Sequence, residues 1–206
     1  MNRSEFATTV LEGGQVRLRS VTPTDYEELY ALQYTIEDRE WTEWDGPYYK
    51  DEEHEETCTE FVENYERIKA RNLPWEPRLL VETKEGETLG VVTSYWEHKP
   101  SNWLEAGILL YRSTTWSRGS GTEALRLYVD YLFAHLDVPR VGITTWSGNA
   151  RMMRAAERIG MQLEGRMRRC RIVRGELYDS IRMGVLREEW EERYGGIGGM
   201  GQSESR

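Results

Sequence analysis

The sequence WSRGSGTEALRLYVDYLFAHL, residues 116–136, joins a glycine turn to a long amphipathic segment. Gly119 and Gly121 stand two residues apart, and apolar side chains then recur at helical spacing at Leu125, Tyr128, Val129, Leu132 and Leu136. A helix start leaves its first backbone N–H groups unpaired and carries a partial positive charge. The stretch therefore predicts an anion site at a turn that leads into a helix.

Two common nucleotide motifs fit this turn poorly. A Walker phosphate loop has a lysine after its last glycine, and no lysine follows Gly121. A dinucleotide fingerprint has a third glycine, or sometimes an alanine, where this chain has Ala124, but that motif follows the first strand of a parallel unit. Here the turn follows three strands that indicate a meander, so the context argues against both motifs.

The hydrophobic pattern predicts strands and helices in a mixed order. Helices are expected from Pro23 to Ile36, from Asp51 to Ala70, after the glycine turn, and over residues 150–160. Strands are expected at QVRLRSV (15–21), RLLVET (78–83), ETLGVVTSYWE (87–97), WLEAGILLY (103–111), RVGITTW (140–146) and a final hairpin within 165–187. This order indicates an α+β domain around one largely antiparallel sheet.

The composition favours a single folded domain. A chain of 206 residues with 38% hydrophobic residues suits one core, which we place at residues 10–194, with a disordered glycine-rich tail at 195–206. No apolar run is long enough to cross a bilayer and no signal peptide is evident, so we expect a cytoplasmic protein without membrane contact. His54 and Cys58 stand four apart without further ligands nearby, and no metal site is predicted.

Charge is distributed unevenly along the chain. Between Ile36 and Glu66 there are thirteen acidic and two basic residues, a local charge of −11 in a chain whose net charge is −9. This acidic window either attracts a cationic substrate or is an exposed helical face and loop. Five arginines form a basic hairpin that we expect to be solvated or paired with the acidic window rather than bound to nucleic acid: Arg166, Arg168, Arg169, Arg171 and Arg174.

Motifs after the turn carry a family resemblance. They are GITTWSGNARMMRAAERIGM (142–161), LEGRMRR (163–169), RGELYDS (174–180) and LREEW (186–190). In this order, together with WSRGSGTEAL, they resemble the GCN5-related N-acetyltransferases, and in particular the branch of ribosomal-protein N-terminal acetyltransferases. The resemblance extends from Gln15 to Trp190 and is strongest after Trp103. It implies the fold of that family, a twisted, mostly antiparallel sheet of six or seven strands flanked by helices and splayed between the fourth and fifth strands.

The resemblance also implies a reaction and a cofactor. The family transfers an acetyl group from acetyl-coenzyme A to a primary amine, which can be a peptide N-terminus, a small amine or a polyamine, by direct attack on the thioester. A non-catalytic acyl-coenzyme A binding module with the same fold is the alternative. Cofactor contacts are expected from the turn, from the backbone of the preceding strand and from one asparagine: Trp116, Ser117, Arg118, Gly119, Ser120, Gly121, Thr122, Leu109, Leu110, Tyr111 and Asn149.

Catalytic side chains are less clearly indicated. Glu105, on the strand before the turn, is the expected general base, and Glu164 in the LEG motif is the second choice. The positions where relatives carry a tyrosine or serine acid are Ala156 and Met152 here. We therefore expect that Tyr111, Ser147 or water replaces the usual acid, or that the thiolate leaves unprotonated.

An aromatic loop, EWTEWDGPYYK at residues 40–50, lies within the acidic window. Trp41, Trp44 and Tyr48 either line an acceptor pocket or cap the core. The sequence does not identify the acceptor amine, and it is compatible with a homodimer.

Overall fold

The computed structural model describes residues 9–49, 56–71 and 73–196. Eight strands form one sheet in the order β1-β2-β3-β4-β5-β6-β8-β7. The strands are β1 (Val10–Glu12), β2 (Val16–Ser20), β3 (Arg78–Thr83), β4 (Thr88–His98), β5 (Trp103–Leu110), β6 (Arg140–Trp146), β7 (Gln162–Val173) and β8 (Glu176–Leu186). Neighbouring strands are antiparallel except for β5 and β6. The mixed α+β fold expected from the sequence is confirmed.

The sheet is one strand larger than the expected six or seven. The additional strand is β1, which pairs with β2 from Val10 opposite Arg19 to Glu12 opposite Arg17. Three residues are too few to show the alternation by which a strand is recognised in a sequence.

Five α-helices flank the sheet: α1 (Tyr26–Tyr30), α2 (Cys58–Ala70), α3 (Ser120–His135), α4 (Ala150–Arg158) and α5 (Arg187–Tyr194). The segment expected to be helical from Pro23 to Ile36 begins with a 3-10 turn, continues as α1 and ends in a π-helical turn at Ala31–Thr35. Helix α2 begins at a capping box formed by Thr57 and Glu60. The expected earlier start at Asp51, the residue His54 and positions 197–206 of the expected tail lie outside the described residues.

The glycine turn leads into α3, as the sequence predicted. Leu125, Tyr128 and Leu132 are fully buried on this helix, in the larger of two hydrophobic clusters. The second cluster includes Leu29 of α1 and Phe61 of α2, together with Leu80 and Val91 of the sheet. Apolar side chains thus hold helices against the sheet in two separate places. None of the helices in the described ranges is long and apolar enough to span a membrane.

Strands β5 and β6 separate soon after they meet. Their ladder contains only Leu104 opposite Val141 and Glu105 opposite Gly142, whereas β4 pairs with β5 along its whole length. The edge of β5 from Ala106 to Leu110 is therefore not covered by β6. These are the fourth and fifth of the strands expected from the sequence, so the splay occurs where the resemblance implied.

Candidate active site

A cleft of about 620 Å³ opens where β5 and β6 separate. Its walls come from the end of β5, the glycine turn, α4, β6 and the aromatic loop. It includes eleven of the residues expected from the sequence, namely Trp41, Trp44, Tyr48, Leu109, Leu110, Trp116, Ser117, Gly119, Gly121, Thr122 and Asn149. The structure thus brings the predicted cofactor turn and the predicted acceptor loop to one cavity. Arg118 and Ser120 belong to the turn, but they are not among the residues that line the cleft.

The two positions of the turn require glycine for different structural reasons. Gly119 adopts φ 98°, a left-handed conformation that other residues rarely accept. At position 121 there is little room for a side chain, because a Cβ atom there would lie 3.2 Å from Cδ1 of Leu110. Gly119 therefore allows the turn into α3, and Gly121 lets the start of α3 approach the end of β5 closely.

The start of α3 offers unpaired amides. The first backbone hydrogen bond of the helix runs from the amide of Glu123 to the carbonyl of Gly119 at 3.0 Å. The preceding amides, of Ser120, Gly121 and Thr122, have no carbonyl partner within the helix. They lie at its positive end, so the turn can accept an anion such as a diphosphate.

Glu123 ties the start of α3 to the N-terminal part of the chain. Its carboxylate accepts hydrogen bonds from the amides of Gly14, Gln15 and Val16 at 2.7, 2.8 and 3.1 Å. Sequence reasoning missed this role, because an acidic residue in the first turn of a helix is common and no local pattern connects it to residues more than a hundred positions away.

The backbone of β5 divides its amides between two edges. The amide of Tyr111 donates to the carbonyl of Leu89 at 2.9 Å, and the carbonyl of Leu110 accepts from Nε1 of Trp116 at 3.0 Å. Because the edges alternate along a strand, Leu109 faces β4 while Ile108 and Leu110 face the splay. The expectation that Tyr111 offers its amide to a cofactor is therefore wrong. The same expectation is wrong for the amide of Leu109, although Leu109 lines the cleft, and the outward amides belong to Ile108 and Leu110.

Glu105, the expected base, is fully buried in a polar cluster at the foot of the splay. One carboxylate oxygen accepts from Nε1 of Trp103 at 2.7 Å and from Nη1 of Arg140 at 3.2 Å. The other accepts from the hydroxyl of Thr144 at 3.1 Å. Arg182 adds a guanidinium nitrogen at 3.7 Å. The carboxylate is thus held by four neighbours and is not itself part of the cleft wall.

Thr144 connects this buried carboxylate to the cleft. It lines the cavity together with Tyr95, while its hydroxyl donates to Glu105. Burial raises the pKa of Tyr95, and the negative charge of Glu105 raises it further. Tyr95 is therefore a neutral hydroxyl at neutral pH, and the route from the cleft to Glu105 passes through Thr144.

Glu164 is placed differently. Its carboxylate binds the guanidinium of Arg140, and it lines a second, smaller cavity of about 340 Å³ with Trp103 and Arg182. Arg140 therefore contacts both candidate carboxylates. Of the two, Glu105 has a hydrogen-bonded neighbour on the wall of the larger cleft.

Tyr111 is not among the residues that line the cleft. Its side chain is fully buried, and burial raises its pKa well above the ordinary value. The ring packs edge-on against Trp41, with centroids 5.4 Å apart. At the positions of the usual acids, Ala156 is buried and Met152 lines the cleft without an ionisable group.

The aromatic loop is fastened over the cleft by its backbone. The carbonyl of Trp44 accepts from Nε1 of Trp146 at 3.2 Å and from Nδ2 of Asn149 at 3.1 Å. The side-chain oxygen of Asn149 also caps α4 by accepting from the amide of Met152 at 3.1 Å. Asn149 thus fixes both a helix start and the loop, and these bonds account for its position without a ligand.

Charges of the acidic loop are compensated by arginines. Glu43 pairs with Arg174 of the basic hairpin at 2.8 Å, and Glu40 lies 4.0 Å from Arg151 of α4. Arg171 stacks on the ring of Tyr48 at 4.4 Å. The basic hairpin therefore pairs with the acidic loop, which is the arrangement that the sequence favoured over nucleic-acid binding.

Three arginines on the cleft wall were missed by sequence reasoning. Arg151, Arg154 and Arg158 line the cavity from α4. The sequence predicted a helix over residues 150–160 but indicated no role for its arginines. Arginines spaced at i, i+3 and i+7 in an acidic chain were the available signal. Within the described residues there is no group of three or more metal-ligating side chains.

Comparisons with known proteins agree with this geometry. An uncharacterised prophage-derived N-acetyltransferase of Bacillus subtilis, YokL, is 31% identical over 78 residues, which cover 38% of this chain and 44% of that protein. The chain thus matches less than half the length of this curated relative.

Two solved structures share the fold. The spermidine N-acetyltransferase from Vibrio cholerae, in complex with coenzyme A and spermine, aligns with a TM-score of 0.71 at 19% identity, over 86% of this chain and 99% of that one. RimL, a ribosomal L7/L12 alpha-N-protein acetyltransferase in complex with coenzyme A, aligns with a TM-score of 0.69 at 16% identity, over 86% and 98%. Residues 15–162 match the model of the acetyltransferase (GNAT) domain, and the chain belongs to that family.

Proposed function

We propose that this protein is an acetyl-coenzyme A-dependent N-acetyltransferase that acts on a primary amine. The proposal rests on one observation: the unpaired amides at the start of α3 and the uncovered edge of β5 border the same cleft. Acetyl-coenzyme A supplies an activated acetyl group as a thioester. It is a long molecule in which a diphosphate links the adenosine to a pantetheine arm that ends in the thioester, and this arrangement suits a cavity with anion-binding amides and an uncovered strand edge.

The chain contributes two sets of backbone donors. The amides of Gly121 and its neighbours at the helix start hold the diphosphate. The amides of Ile108 and Leu110, directed into the splay, bind carbonyl oxygens of the pantetheine arm and polarise the thioester carbonyl. Backbone recognition explains why the side chains of this strand segment are apolar.

Glu105 is the proposed base, and it acts through Thr144. An aliphatic ammonium must lose a proton before its nitrogen can attack a carbonyl. The hydroxyl of Thr144 accepts that proton while its own proton passes to the carboxylate of Glu105, so that a neutral amine, an unchanged threonine and a protonated glutamate result. Arg140 and Trp103 keep the carboxylate oriented for this transfer. Glu164, which lines the smaller cavity, has no part in this route.

The coenzyme A thiolate that leaves would take its proton from water or from the neutral hydroxyl of Tyr95, which lines the cleft. Ala156 and Met152 cannot donate one, and Tyr111 and Ser147 are not among the residues that line the cleft. A thiolate is a good enough leaving group to depart without a side-chain acid, since an unperturbed thiol has a pKa of about 8.5.

The loop favours an acceptor with one ammonium group. Among the described loop residues, Glu40 and Glu43 face arginines, and the residues that line the cleft are Trp41, Trp44, Asp45, Gly46 and Tyr48. A polyamine gains most from several carboxylates, and among the described loop residues that line the cleft Asp45 is the acidic one. The structural neighbours include a spermidine and a ribosomal-protein acetyltransferase, and we place this chain with acceptors such as a peptide N-terminus or a monoamine.

Thiol release tests the proposal. Purified protein and acetyl-coenzyme A are incubated with a panel that contains peptides with free N-termini, monoamines and spermidine, and free thiol is measured. We expect release above background with at least one acceptor, and faster release with a peptide or monoamine than with spermidine. Tight binding of coenzyme A without release for any amine would support the non-catalytic module instead.

A further inference from the structure

Two arginines on the wall of the cleft have no compensating charge. Arg154 and Arg158 both line the cavity from α4, and both are exposed. In the part of the chain that the structure describes, no carboxylate forms an ion pair with either guanidinium. The backbone carbonyl of Arg158 accepts a hydrogen bond from Arg193 at 3.1 Å, which leaves its side chain uninvolved.

Arg151, the other arginine of α4 on the cleft wall, has partners of both kinds. Arg151 is held between two indole rings, 4.8 Å from the centroid of Trp44 and 4.5 Å from that of Trp116, with Glu40 at 4.0 Å. Arg158 follows seven residues later, about 10 Å farther along the helix axis. Arg151 is therefore held by two aromatic rings and a carboxylate, whereas the guanidinium groups of Arg154 and Arg158 have no such partner among the described residues.

Two guanidinium groups on the cleft wall without partners in the described ranges indicate that the cleft binds an anion there, in addition to the anion at the start of α3. The amides at Gly119, Gly121 and Thr122 border the same cavity as Arg154 and Arg158, so the cleft has two sets of anion-binding groups. Coenzyme A carries two separate anionic groups, the diphosphate and a phosphate monoester on its ribose. Guanidinium groups match the oxygens of a phosphate monoester in pairs.

We infer that Arg154 and Arg158 form a second anion subsite that binds the ribose 3′-phosphate of coenzyme A and selects coenzyme A over its dephosphorylated form. The inference rests on the proposed function, because it names a part of the same cofactor. It assigns the two arginines to binding alone, since they contact no reacting atom.

Calorimetric titration with coenzyme A and dephospho-coenzyme A tests the subsite without any acceptor. For the unaltered protein we expect dephospho-coenzyme A to bind about 10-fold more weakly, as fits the loss of charge-assisted hydrogen bonds. For the double variant Arg154→Gln, Arg158→Gln we expect both ligands to bind with affinities within about 2-fold of each other. Arg168→Gln, which removes an exposed arginine outside the cleft, should keep the full preference.

The outcomes separate this inference from the proposed function. Equal affinity for both ligands in the unaltered protein, or a preference that survives in the double variant, overturns the inferred phosphate subsite. Neither result contradicts the proposal that the protein binds coenzyme A. Binding of neither ligand overturns the cofactor and the subsite together. Circular dichroism and the melting temperature of each variant show whether the fold is kept, and both substitutions are at exposed positions.

Discussion

Two buried glutamates in this sheet have similar partners and different surroundings. Glu82 of β3 is 2% exposed and binds Arg17 and Arg19 of the neighbouring strand. Glu105 of β5 is 0% exposed and lies near Arg140 and Arg182. Each is a carboxylate between two guanidinium groups, and a list of residue types would not distinguish them.

The two glutamates differ in how far the neighbouring strands stay paired beside them. Strands β2 and β3 pair continuously from Val16 to Ser20, and Glu82 is not among the described residues that line the two cavities. Strands β5 and β6 separate directly after Glu105, and the opening brings Thr144 to a cleft wall. The comparison teaches that a buried ion pair is structural where the sheet is closed and available for chemistry where the sheet opens.

The largest effect is expected from Glu105→Gln. The amide keeps the shape of the side chain and can still accept from Trp103, but it cannot take up a proton. Turnover in the thiol-release assay should fall about 10³-fold, the usual range for a general base, while the affinity for coenzyme A changes less than about 3-fold. An equal loss in turnover and cofactor affinity would remove Glu105 from the role of base.

Glu82→Gln should affect stability instead of turnover. Removal of the buried charge leaves Arg17 without its carboxylate, while Arg19 keeps only Asp25 of its described carboxylate partners, and we expect the free energy of unfolding to fall by about 3 kcal/mol. Urea denaturation measures this, and kcat below the transition should stay within about 2-fold. Glu12→Gln, which breaks the exposed pair with Lys84, is the control and should cost about 0.5 kcal/mol. A large drop in kcat for Glu82→Gln would erase the contrast between the two glutamates.

Thr144→Val tests the link between Glu105 and the cleft. Valine has the shape of threonine without the hydroxyl, and we expect kcat to fall about 30-fold because the proton route is interrupted. Thr144→Ser restores a hydroxyl and should recover most of the activity. If valine and serine variants lose activity equally, the threonine serves packing and Glu105 reaches the acceptor by another path.

The smallest effect concerns acid stability near Glu82. Burial alone would raise the pKa of Asp25, but hydrogen bonds from Arg19 and Thr22 outweigh it and lower that pKa below its ordinary value. The contribution of Asp25 is therefore present above about pH 3.9, the unfolded value, and is lost as the pH falls through the lower, folded pKa. Asp25→Asn should cost about 1.5 kcal/mol at pH 7 and flatten the loss of stability between about pH 5 and 2. Parallel curves for both proteins in that range would contradict this assignment.

Much of the fold followed from short-range patterns. Apolar residues at i, i+3 and i+4 placed α3, alternation placed β2, and apolar runs bounded by turn residues placed β3 to β6, because each pattern depends only on neighbours within a few positions. The glycine turn was found for the same reason, since left-handed φ at Gly119 is a local demand. The short β1 had no pattern of this length and was missed.

What the sequence determined by itself was therefore the set of elements, the anion-binding turn and the family, all of which rest on local spacing and the order of motifs. Only the tertiary structure decided which amides of β5 face the splay, that Glu105 reaches the cleft through Thr144, and that α4 lines it with Arg154 and Arg158. These features depend on strand register and on contacts between residues far apart in the chain. No local pattern encodes them, because burial and charge compensation are settled only when the elements pack together.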